Sequence, residues 1–205
     1  MNRETKSTNT LEYKSLTSEP FLYKEMLEIS KLIVEKKSKE EIKDLCINEN
    51  YLQLTSKSAV ERFMPSIMRR IEYLDEFLAQ KIIEESINVS KLINLYLIMK
   101  TNRMINEFVN EVVATKNSKY KDYISIDEVN RFIDEKAANN ENVANWTELT
   151  IKKTKARLIQ IMYDAGIINS KKDREIQYVY IPEYLKEYFQ AIGESKYIKA
   201  ISQEI

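Results

Sequence analysis

The sequence predicts a mostly α-helical protein: an N-terminal helical bundle, then a C-terminal winged helix-turn-helix containing a short β-hairpin. Three observations carry this. The 205 residues include only two glycines and three prolines, which leaves little punctuation between elements. Apolar residues recur at three- and four-residue spacing along most of the chain, the signature of helices with one buried face. A single segment breaks that rhythm. Ile176 to Ile181 alternates and is rich in β-branched and aromatic residues, and it follows a basic loop.

Residues 1–17 are polar and are expected to form a flexible tail. Ser18 to Lys36 reads as the first helix, with Leu22, Met26, Ile29, Leu32 and Ile33 on one face. Ser38 and Glu41 form a capping box, in which hydroxyl and carboxylate each satisfy a free backbone N–H, and the short helix behind it carries Ile42, Leu45 and Cys46. A turn region over 48–54 precedes a longer helical stretch marked by Val60, Phe63, Met64, Ile67, Ile71, Leu74 and Leu78. Pro65 lies inside that stretch and is expected to kink it or to start a second helix. Asn88 to Met99 and Thr101 to Ala114 complete a helical bundle over residues 18–118.

The polar run Lys116 to Asp122 is the expected linker to a second part over residues 119–205. Ser125 and Glu128 form another capping box, opening a helix with Val129, Phe132 and Ile133 inward. Asn145 to Glu148 is a further start signal for a helix over 149–165. Gly166 then sits where a left-handed C-cap is needed, backed by Ile167 and Ile168. The loop 169–174 leads into the expected strand 176–181. Pro182 stops that strand and opens a helix bearing Leu185, Phe189 and Ile192, and a last helix carries Tyr197, Ile198 and Ile201. Helix, turn, longer helix, short strand, basic loop, strand, helix is the order of a winged helix-turn-helix.

Composition excludes much chemistry. There is no histidine, which removes Ser-His-Asp and Cys-His sites and most zinc sites. The single cysteine, Cys46, forms no intrachain disulfide and reads as a small core residue. Two glycines cannot build a phosphate-cradling loop of the dinucleotide or P-loop kind. The pairs Asp44/Glu49, Asp75/Glu76 and Glu84/Glu85 read as solvated carboxylates, so no metal and no cofactor is expected. The longest uncharged apolar run, Leu92 to Met99, has eight residues between Lys91 and Lys100, far short of the roughly 20 that span a bilayer. A protein without a membrane partner, in the cytoplasm, is the expectation.

The 32 basic and 32 acidic residues cancel, yet they are segregated. Between Ile151 and Arg174 stand Lys152, Lys153, Lys155, Arg157, Lys171, Lys172 and Arg174, opposed only by Asp164 and Asp173. Placing Ile151, Thr154, Leu158, Met162 and Ala165 toward the core turns Lys152, Lys153, Arg157 and Gln160 outward, with Lys155 at the edge. Cations on an exposed second helix and in a wing loop suit a helix laid against a phosphate backbone. A second cluster, Lys57, Arg62, Arg69 and Arg70, holds Arg62 and Arg69 on one face opposite Val60, Phe63 and Ile67. These residues are the candidate DNA contacts. The competing reading of each cluster is a solvated face, and winged helices also serve as protein-interaction modules.

The chain resembles the BrxA family of BREX phage-defence islands over most of its length, from about Phe21 onward. The resemblance rests on the order and spacing of short motifs. These are Phe21 to Glu25, Asn48 to Asn50 followed by Thr55 to Ser58, Arg62 with Arg69, Arg70, Ile71 and Leu74, Phe108 to Val112, Trp146 to Thr150 with Lys153, and Ala165 to Ile167. The resemblance implies a non-enzymatic, DNA-binding accessory protein of a system that methylates host DNA and blocks phage replication. Its implied partners are double-stranded DNA and the larger BREX proteins, including the methyltransferase. Members have been likened to the NusB fold, which suits the helical half and keeps RNA as an alternative ligand. A third reading is an adaptor that holds the defence complex together without touching nucleic acid.

Overall fold

Local capping chemistry starts most helices of the computed structural model, which describes residues 11–116, 118–120 and 122–202. After one 3-10 turn, Leu16–Ser18, the first helix is α1, Tyr23–Val34. Ser38 begins α2, Lys39–Asn48: its hydroxyl accepts from the Glu41 N–H at 3.1 Å, and the Glu41 carboxylate accepts from the Ser38 N–H at 2.8 Å. Ser56 caps α3, Lys57–Ile71, which runs unbroken through Pro65. That proline is exposed, so water reaches the carbonyl its missing N–H leaves free. Asp75 caps α4, Glu76–Glu84, and Ser86 caps α5, Ile87–Thr101. Asn102 then opens α6, Arg103–Phe108, which passes into a π-helical turn, Val109–Val113.

The axle of this half is α5. Every residue from Leu92 to Lys100 is buried, because α1, α3, α4, α6 and a C-terminal helix surround it. Burying such side chains stabilises by about 1.5–3 kcal/mol each. Two buried ion pairs brace the packing. Arg70, with no exposed surface, donates to Glu19 Oε1 at 2.6 Å and to the carbonyls of Pro20 and Phe21. Asn94 of α5 donates to the same Phe21 carbonyl at 2.7 Å, holding the extended stretch that leads into α1. The helix expected from Ser18 therefore starts only at Tyr23, since residues 19–21 are committed to Arg70 and Leu22 adopts a left-handed backbone. At the other end Lys100 Nζ lies 2.7 Å from Glu194 Oε1, between the rings of Tyr73 and Tyr197.

The second half contains α7, Ile126–Asn139, the single turn α8, Glu141–Ala144, and α9, Glu148–Asp164. It closes with α10, Glu183–Ala191, and α11, Ser195–Ser202. Phe77 of α4 stacks on Tyr188 of α10 at 4.3 Å, and Tyr96 of α5 meets Phe189 and Tyr197 edge-on. Of the expected tail, residues 1–10 lie outside the described residues, while Tyr13 and Leu16 are buried in the core.

The expected β-hairpin is corrected. The described residues hold no strand, only two isolated antiparallel bridges, Tyr123 with Glu175 and Ile168 with Ile176. The physical reason lies in the partner arm: between the Gly166 cap and the turn closed by the Arg174 N–H on the Ser170 carbonyl, only Ile167, Ile168 and Asn169 are available to pair. Residues 178–181 do alternate, with Val179 and Ile181 buried and Tyr178 and Tyr180 exposed, but their backbone finds no ladder. Residues 175–177 nonetheless sit in the middle: the Ile176 N–H donates to the Asp122 carbonyl on one side, and on the other the Gln177 N–H donates to the Ile167 carbonyl while the Glu175 carbonyl accepts from Asn169.

Candidate nucleic-acid interface

The exposed helix α9 is built by local signals at both ends. Thr147 accepts from the Thr150 N–H at 3.2 Å, and Glu148 places a carboxylate in the first turn, where the helix dipole favours it. At the far end Gly166, at φ +79°, donates to the Tyr163 carbonyl while Ile167 donates to that of Met162. That pair of bonds is a Schellman cap, and only glycine enters the left-handed conformation freely. Thr154, Leu158, Met162 and Ala165 are buried, and Lys152 and Lys153 are exposed, as the spacing predicts.

What lies to either side of α9 gives the face its character. A groove of about 290 Å³ separates it from α7, and Lys155, Lys171 and Arg174 stand around it. On the opposite flank a depression of about 400 Å³ is lined by Thr17, Lys153, Arg157 and Gln160. Ala156 lines both, so the crest between the two basic grooves is a methyl group. Leu149 and Tyr163 extend the exposed crest toward the two helix ends.

Several of these cations are held in place by neutral groups. Lys155 Nζ donates to Asn130 Oδ1 at 2.9 Å, tying α9 to α7. Lys171 Nζ donates to Gln160 Oε1 at 3.1 Å, drawing the 169–174 turn onto α9. Gln160 also donates to Asp164, so both ends of that side chain are engaged. Arg174 adopts φ +57°, and its Nε donates to the Ile124 carbonyl at 2.7 Å. Lys152, Lys153 and Lys172 are exposed.

The second cluster divides. Lys57 and Arg62 are exposed on α3, with the Arg62 guanidinium 4.8 Å from the Phe63 ring centre. Arg70 is withdrawn as a contact: its guanidinium is enclosed and bound to Glu19, and burial lowers its pKa even beside that carboxylate. Arg69 is half-buried and donates to the other Glu19 oxygen at 3.0 Å, so its charge is also compensated. Cys46 is buried, and burial alone pushes its thiol up to about 11, which leaves it inert.

Sequence reasoning missed Ala156 and Thr17. The first was legible, since Ala156 falls on the face that Lys152, Lys153 and Gln160 define. The second was not, because nothing local brings the N-terminal stretch against α9. Among the described residues no three His, Cys, Asp or Glu side chains gather as a metal site, and no helix is long and apolar enough to cross a membrane.

These observations define an all-helical architecture that displays one cation-flanked surface helix. The same fold occurs in the crystal structure of an uncharacterized protein from Magnetospirillum magneticum, with a TM-score of 0.77 and 18% identity over 95% of this chain and 100% of that one. In sequence, the BrxA family model matches residues 12–193. A "BREX protein BrxA" from Bacillus cereus (strain H3081.97) is 33% identical over 94% of this chain and 97% of its own length. Another of the same name, from Escherichia coli O9:H4 (strain HS), is 20% identical over 89% of this chain and 85% of its own. The chain belongs to the BrxA family.

Proposed function

We propose that this protein binds double-stranded DNA, mainly through phosphates and with little sequence preference, as a non-enzymatic accessory protein of a BREX phage-defence system. One observation carries the reading: cations stand on both flanks of an exposed helix whose crest is alanine. A helix in the major groove, about 12 Å wide, has a phosphate strand on each side. Lys153 and Arg157 address one strand, and Lys155, Lys171 and Arg174 the other, with Lys152 and Lys172 adding charge nearby. Ala156 brings no polar group to the crest, and Gln160 is already bonded at both ends, which supports phosphate contact over base readout.

The layout of residues 119–205 supports a reduced winged helix. Its rudimentary pairing runs from 123 to 175 and from 176 to 168, so the last extended piece lies centrally, and the turn between Ile168 and Glu175 takes the place of a wing. Residues 18–118 serve as the helical, NusB-like part. Lys57 and Arg62 on α3 form a second, smaller contact. The relatives' name supports work alongside other BREX proteins; that the methyltransferase is among them, and that they meet in the cytoplasm, is part of the proposal.

The test is binding to a short labelled duplex of random sequence, with a Lys152/Lys153/Arg157→Glu triple variant and an RNA competitor alongside. Binding that weakens with salt and disappears in the variant is the expected result. Equal binding by the variant moves the contact to Lys57 and Arg62. Preferential displacement by RNA turns the reading to RNA, and no binding at low salt leaves a protein adaptor.

A further inference from the structure

The groove between α7 and α9 has a property that a phosphodiester contact does not require. Its floor is apolar: Val129 and Ile159 are buried there, and Ile126 lines it although half its surface is exposed. Three cations rise around that floor, and each is steadied by neutral oxygen alone. Lys155 is held by the Asn130 amide oxygen, Lys171 by that of Gln160, and Arg174 by the carbonyls of Ile124 and Lys171. None of the three has a carboxylate within ion-pair distance among the described residues. Elsewhere in the fold enclosed cations are neutralised, as Arg70 is by Glu19 and Lys100 by Glu194. Around this groove positive charge is aimed and left uncompensated.

We propose that the groove binds a small amphipathic anion, with a single ring or short chain on Ile126, Val129 and Ile159 and a carboxylate or phosphate among Lys155, Lys171 and Arg174. A volume of about 290 Å³ stands at the small end of ligand pockets and suits one ring. A fully hydrated anion gains nothing from the apolar floor, and a neutral ring leaves the cations unanswered, so both parts of the ligand are needed. Because the same cations face phosphate in the DNA reading, ligand and duplex compete. That consequence rests on the DNA reading, whereas the ligand site itself does not.

Phenyl phosphate and benzoate are the probes, measured by calorimetry and by saturation-transfer NMR, with inorganic phosphate and benzamide as controls. One-to-one binding of the probes, at least about tenfold tighter than either control, is expected, since a charge-assisted bond and a buried ring each contribute about that factor. Lys155→Gln/Lys171→Gln removes two of the three cations that meet the anion and weakens the probes, and Ile126→Ser, at an exposed position the fold tolerates, weakens them without touching charge. Equal affinity for inorganic phosphate, or probe binding undisturbed by both variants, overturns the proposal. Probe binding that fails to displace the duplex leaves the ligand site standing and refutes only its overlap with the DNA face.

Discussion

Replacing Lys153 and Arg157 by glutamine strips one flank of α9, and replacing Lys155 and Lys171 strips the other. For duplex DNA each neutralised phosphate contributes about −0.9 to the slope of log affinity against log salt. The seven cations of the α9 face give a slope of about −6 if all meet phosphate, a loss of roughly 10³- to 10⁴-fold between 50 and 200 mM salt. Each double variant then has a slope shallower by about 1.8, and the quadruple variant by about 3.6. Fluorescence anisotropy of a labelled duplex over a potassium chloride series reads all four slopes. Lys153 and Lys171 are exposed and Lys155 and Arg157 partly so, so circular dichroism stays at the wild-type signal and the urea midpoint falls only slightly with the lost Lys155–Asn130 and Lys171–Gln160 bonds. If one double variant keeps the wild-type slope, α9 does not lie between two phosphate strands, and the flank reasoning fails.

Two further outcomes follow from the core. Lys100→Met leaves the Glu194 carboxylate buried with no cation and is expected to cost about 3–5 kcal/mol, whereas Lys100→Met with Glu194→Leu costs less than either single change. Urea unfolding of the cycle checks this, and additive losses contradict a coupled pair. Tyr13 is raised to about 12, first by burial and then by its hydrogen bond to Glu107. A raised tyrosine pKa contributes stability that is present below pH 10 and lost as pH climbs to about 12. Tyr13→Phe therefore flattens the fall of the urea midpoint across that window, and an identical fall in both proteins sinks the assignment.

Legibility followed the range of the interactions. Ser38, Ser125 and Gly166 act within four residues of themselves, and each does in the structure what the sequence implies. The outward face of α9 was equally legible, because helical period and residue type suffice to orient it. Arg70 was not. It lies one residue past Arg69 on a helix with basic neighbours, and its partner Glu19 is 51 positions away. No local pattern separates an arginine that reaches a buried carboxylate from one that reaches solvent. Lys100 misled in the same way, reading as the charged end of an apolar run while its ammonium is committed to Glu194, 94 residues on. The missing hairpin is the complementary case. Alternation at 176–181 reports one buried edge, Val179 and Ile181, but a strand also needs a partner of matching length.

If this protein binds DNA as proposed, its net neutrality gives no general attraction, so the placement of charge has to select the approach. Asp127, Asp134, Glu135 and Glu141 are exposed on α7 and α8, and they repel a duplex that arrives from that side. The attractive face is then held still. The Leu16 N–H donates to Thr154 Oγ1 and the Tyr13 carbonyl accepts from Asn142, so residues 13–17 strap the front of α9 and α8 to the bundle. Tyr13 is itself anchored on Glu107, which also binds Arg103 and Lys136. At the back of α9 the Gly166 cap leads directly into the bonds that hold residues 175–177. Cations on a helix fixed at both ends would lose little further freedom on meeting phosphate, which would strengthen the proposed contact without any added charge. In the proposed DNA reading the strap from Tyr13 to Thr17 thereby belongs to the binding surface in an energetic sense, although Thr17 is the part of it that lines the groove beside Lys153 and Arg157.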